Sequence, residues 1–123
     1  MPGTIIFRPL EAKLEKDKDA LVKMDPYCKF KIGWHRGKTS AAKHAGTHPH
    51  WSEEVVLERK HDEEFAKLKV KDREKPGIDD VIGETKIDLN SVASKGKVKE
   101  WYNLYSGKEV TGKILLEIKY DKH

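Results

Sequence analysis

Two short acidic clusters in this chain share one spacing. Asp19 and Asp25 stand six residues apart, and Asp72, Glu74 and Asp80 stand two and then six apart. Both clusters fall between strand-like segments, so both are expected to be loops. Five carboxylates on two loops repel one another unless a hard cation lies between them. Ca²⁺ takes 6–8 oxygen ligands and tolerates irregular geometry, which suits such loops better than Mg²⁺ or Zn²⁺ does. The expected ligands are Asp19, Asp25, Asp72, Glu74 and Asp80. Asp17 and Asp79 fall off the spacing and are expected outside the ligand set or facing solvent.

A second feature is a run without acids. From Pro26 to Ser52 no Asp or Glu occurs, while Lys29, Lys31, Arg36, Lys38 and Lys43 do, with four histidines. The whole chain carries 25 basic and 21 acidic residues, so this segregation says more than the net charge of +4. In a strand, Lys29 and Lys31 point the same way, opposite Phe30 and Ile32. Lys38 and Lys43 are expected to join them from the next strand. Such a face is a candidate surface for anions. No nucleic-acid recognition motif accompanies it, so nucleic acid is not expected as a partner.

The elements that must hold these residues read as strands. Cys28, Phe30, Ile32 and Trp34 alternate with polar positions. So do Ala66, Leu68 and Val70 with Lys67, Lys69 and Lys71, and Ile114, Leu116, Ile118 and Tyr120 with their neighbours. Further strands are expected near residues 4–13, 36–43, 51–59, 81–88 and 98–105. Eight short strands with turns between them argue for an all-β antiparallel sandwich. Asn90 to Ser94 reads as a helical turn, and Gly107 and Gly112 bracket a tight connection. Trp51, Trp34, Trp101 and Cys28 are all expected to be structural. His48 and His50 lack a third nearby ligand and read as loop residues.

The 123 residues are expected to form one domain with one core. The apolar run near the N-terminus is too short for a secretory signal, and no run approaches the ~20 residues of a membrane span. A lone cysteine excludes an internal disulfide and fits a cytoplasmic setting. Catalytic signatures such as a phosphate-cradling glycine loop, Gly-x-Ser-x-Gly or His-Glu-x-x-His are missing, so an enzyme is not expected.

These motifs also carry a resemblance. Asp25-Pro26-Tyr27 before an alternating strand, His48-Pro49-His50-Trp51-Ser52-Glu53-Glu54, Leu68 to Glu74, and Asp79-Asp80-Val81-Ile82-Gly83 are similar, in order, to elements of the C2 domain. The resemblance runs from about Gly3 to Tyr120. Glu74 stands where the family usually has Asp, and Val22 where many members have Gly. One strand before the first acidic loop marks the family's type II topology, which implies two four-stranded sheets with the last strand beside the first.

The resemblance further implies a Ca²⁺-dependent module that docks on anionic phospholipid membranes, peripheral and cytoplasmic, in a signalling or adaptor role. It would be a monomer in solution. Leu21, Val22 and Ile78 would be the tips that enter the headgroup layer. Lys29, Lys31, Lys38 and Lys43 would form a separate lipid-binding face. The alternative is a Ca²⁺-independent module that binds phosphoinositides or a protein partner through that basic face.

Overall fold

The computed structural model describes residues 2–15, 24–75 and 78–123, apart from the side chains of residues 74, 75 and 78. Eight strands and one short helix make up the fold. They are β1 (Gly3–Leu14), β2 (Pro26–Ile32), β3 (His35–Lys38), β4 (Val55–Arg59), β5 (Phe65–Lys75), β6 (Ile78–Asp88), α1 (Leu89–Lys95), β7 (Lys97–Ser106) and β8 (Glu109–Lys122). All pairings are antiparallel, in the order β3-β2-β5-β6-β7-β8-β1-β4.

This order folds into two four-stranded leaves because β6 and β7 share a single rung, Glu84 with Tyr105. Gly83 precedes that rung and makes the close approach feasible. A Cβ there would lie 2.9 Å from the Leu104 Cβ and would also strike the Thr111 hydroxyl. Between the leaves sits the core expected from the period of two: Ile5 and Phe7 from β1, Cys28, Phe30 and Ile32 from β2, Leu68 and Val70 from β5, and Ile114, Leu116 and Ile118 from β8. The rings of Phe7 and Phe30 stack across the gap at 4.4 Å. As the type II reading requires, β8 pairs with β1, from Gly3 opposite Lys122 to Leu14 opposite Gly112.

Helix α1 fills the position expected for a helical turn. Asp88 caps its start by accepting from the Asn90 and Ser91 backbone N–H groups at 3.0 and 3.2 Å, and Gly96 ends it at φ 79°. No helix among the described residues is long and apolar enough to cross a membrane.

Four expectations need correction. The strand expected over 36–43 ends at Lys38, because buried Thr39 turns its hydroxyl back to accept from the Cys28 N–H at 3.0 Å. The one expected over 51–59 begins only at Val55. Trp51 instead enters the core, with its backbone N–H on the Leu10 carbonyl and its indole N–H on the Pro26 carbonyl. The second acidic cluster is largely strand rather than loop, since β5 runs on to Lys75 and β6 starts at Ile78. Finally, Trp34 does not close the apolar face of β2: it is 90% exposed, whereas Trp101 lies within β7 as expected and is 40% exposed. Trp34 follows Gly33, whose φ of 57° begins a tight turn, so the alternation ends with the strand at Ile32.

Candidate functional site

One pole of the sandwich gathers the acids. Asp25 precedes β2, Asp72 lies opposite Pro26 on β5, and Asp80 is the β6 partner of Asp72. Backbone donors orient two of these carboxylates. The Asp25 N–H donates to the Asp72 Oδ1 at 2.9 Å, and the His44 N–H donates to the Asp25 Oδ1 at 2.7 Å. The Arg73 N–H reaches the Asp25 carbonyl at 3.2 Å. Loop and hairpin are thus tied together at the acids themselves.

Asp19, Leu21 and Val22 lie outside the described residues, as do the side chains of Glu74 and Ile78. Among the described residues, no three His, Cys, Asp or Glu side chains make up a metal site. Asp25, Asp72 and Asp80 nevertheless fit calcium in chemistry, being hard oxygen donors carried by neighbouring elements.

Asp79 has a definite partner, which its spacing does not reveal: it accepts from the Tyr27 hydroxyl. Tyr27 is buried, and its pKa is pushed up to about 12, by burial first and then by the bond to Asp79 and that residue's charge. The unfolded phenol titrates near 10, so the contribution to stability is present below pH 10 and is lost as pH rises through 12. Tyr27→Phe is expected to flatten the fall in stability across that window, leaving the share from Tyr102, also held at about 12 by its burial. Denaturant unfolding of both proteins from pH 9 to 12 checks this, and parallel curves would refute it.

The second feature is the outward face of the leaf formed by β3, β2, β5 and β6. Register places Arg36, Lys31, Lys67 and Lys86 in one row, and Lys38, Lys29, Lys69 and Glu84 in the next. Lys71 stands opposite Tyr27 beyond them. Glu84 is the only acid in the two rows. Like charges directly opposite one another on a sheet destabilise it, so an array of this kind works against the fold. The strain registers at Lys29, whose pKa is lowered chiefly by the charge of Lys71, then by burial and by Arg36, Lys69 and Lys38. Beside these rows a shallow concavity of about 460 Å³ is lined by Lys67, Lys69, Lys86, Glu84 and Tyr105.

Three of the four expected basic residues, Lys29, Lys31 and Lys38, share this face. Lys43 stands instead in the connection after β3, next to His44 and the acidic pole. Lys67, Lys69 and Lys86 join the face without having been expected there. The alternation of β5 already places Lys67 and Lys69 on one side, but only the pairing of β5 with β2 puts them beside Lys29 and Lys31.

Comparison with known proteins agrees with this architecture. The C2 domain family model matches residues 3–104, and the chain belongs to that family. It is similar to elicitor-responsive protein 3 of Oryza sativa subsp. japonica, at 29% identity over 113 residues, covering 91% of this chain and 78% of that protein. Among solved structures, a C2 domain-containing protein from a putative elicitor-responsive gene superposes with a TM-score of 0.84 at 28% identity, covering 98% of this chain and 89% of the other. The calcium-bound pair of C2 domains from extended synaptotagmin 2 gives 0.80 at 25% identity, covering 96% of this chain and 45% of that one.

Proposed function

We propose that this C2 domain is a Ca²⁺-dependent module that docks on anionic phospholipid membranes, a cytoplasmic protein that becomes peripheral when calcium rises. The observation that supports this most is the pole itself, where Asp72 and Asp80 are in register and the Asp72 carboxylate holds the Asp25 backbone. Without calcium, Asp25, Asp72 and Asp80 repel phosphate headgroups. Asp19 and Glu74 would complete the ligand set with them. Bound calcium would offset the carboxylate charge and present open coordination positions to phosphate oxygens. Leu21, Val22 and Ile78 would then enter the headgroup layer.

The cationic face favours a second reading, calcium-independent binding of phosphoinositides or of an acidic protein. Lysines near an anionic bilayer contribute about 1 kcal/mol each, so this face can add to calcium docking or act without it. Co-sedimentation with phosphatidylserine vesicles, with calcium and with chelator, separates the two. The first reading expects binding that increases strongly with calcium. Equal binding in both conditions would reject it in favour of the second.

A further inference from the structure

We propose that Lys29 is an acylation site, whose amine takes the acyl group from a thioester of an anionic carrier such as coenzyme A. The reaction needs neither calcium nor a membrane, so it stands or falls apart from both docking readings.

Lys29 lies at the centre of a block of cations that strand pairing assembles. Across the ladders it faces Lys38 on β3 and Lys69 on β5. The row on one side of it holds Arg36, Lys31 and Lys67, and the row on the other holds Tyr27 and Lys71. Residues two apart on a strand share a face, so these side chains leave the sheet on the same side as Lys29. Tyr27 brings no charge, since its phenol donates to Asp79. Six cations therefore surround one amine. Among the described residues, none of the seven forms an ion pair. The one acid in the row of Lys29, Glu84, stands beyond Lys69.

A protonated amine has no lone pair with which to attack a carbonyl. Neighbouring positive charge favours the neutral form, and lysine nucleophiles beside other cations are activated in this way. The lowered pKa of Lys29, with Lys71 as its chief cause, agrees with the geometry. The side chain is also partly exposed, so a donor can reach it. Neutral Nζ adds to the thioester carbonyl carbon, the C–S bond breaks and the thiolate leaves. The proton lost by nitrogen passes through solvent to that thiolate, giving a free thiol and a neutral amide.

The same cations act on the donor. A face of one sign draws in the phosphates of the carrier and raises its local concentration. The concavity lined by Lys67, Lys69 and Lys86 adjoins the row and gives those phosphates a place beside the amine. The amide then removes the central charge of the block, which relieves the repulsion across both ladders.

Incubation with acetyl-CoA at about pH 8 and low salt, followed by mass spectrometry of each lysine, tests the site. Lys29 should be acetylated severalfold faster than Lys108, which lies on the exposed β7–β8 turn. Lys38→Gln with Lys69→Gln should slow Lys29 about fourfold, about twofold for each cross-strand neighbour removed, and leave Lys108 unchanged. In the wild type, salt at ~1 M should bring the two lysines together, because the Debye length is then ~3 Å. Acetic anhydride, an uncharged donor, should also prefer Lys29, by a smaller factor. Equal rates with the anhydride would refute activation of the amine and with it the proposal. Acetyl-CoA that modifies Lys29 no faster than Lys108 at low salt would overturn it too, as would a Lys29 rate indifferent to salt and to both substitutions.

Discussion

Calcium at about one hundred times its Kd is expected to raise the melting temperature by about 10 °C, and the pair Asp25→Asn, Asp72→Asn to abolish that shift. A ligand that binds only the native state at this excess stabilises it by about 2.7 kcal/mol. For a chain of 123 residues, each kcal/mol moves the transition by about 4 °C. Asparagine keeps an acceptor oxygen where the His44 and Asp25 N–H groups need one, so the local hydrogen bonds survive. What is lost is charge, and with it both ligand strength and mutual repulsion. The calcium-free variant should therefore melt no lower than the calcium-free wild type. Thermal scans in chelator and in calcium, beside titration calorimetry, provide the check. A wild type with no shift and no heat of binding would remove the calcium site from consideration.

The second large effect is expected at the cationic leaf. Changing Lys29, Lys31, Lys67 and Lys69 to Ala should weaken binding to anionic vesicles by about 4 kcal/mol at low salt, about 1 per lysine. That is close to a thousandfold in Kd. Calcium affinity measured without lipid should stay nearly constant, because none of the four belongs to the acidic pole. Salt supplies an internal control. As the Debye length falls from ~10 Å at 0.1 M to ~3 Å at 1 M, wild type and variant should converge. The variant should also fold at least as well, since it lacks the repulsion that Lys29 meets from Lys71 and Lys69. Equal vesicle binding at low salt would reduce the lysines to a solubility feature.

Much of this is legible in the sequence, and the reasons differ by element. Alternation reveals β2, β5 and β8 because their inward residues are apolar and their outward ones charged. The place of Trp51 follows from its motif, and the type II order from the single strand before Asp19. The cationic face is only half visible. A strand's own pattern tells which side its lysines occupy but not which strand lies next to it, so Lys67 and Lys69 cannot be joined to Lys29 and Lys31. Trp34 escapes the pattern for a related reason: a period of two does not mark its own end, and Gly33 is the available signal. The bond from Tyr27 to Asp79 joins residues far apart in the chain, and no local spacing encodes it.

The β1–β8 ladder has a practical consequence for handling the protein. Gly3 and Lys122 are direct partners, so the two ends of the described chain emerge side by side. They do so away from the acidic pole, because the same ladder reaches Leu14 only at its opposite end. A fluorescent reporter or surface tether attached at either end would therefore leave the acids accessible. A short linker joining the ends, with a new opening at the Gly107–Lys108 turn, would give a permuted chain that retains every strand.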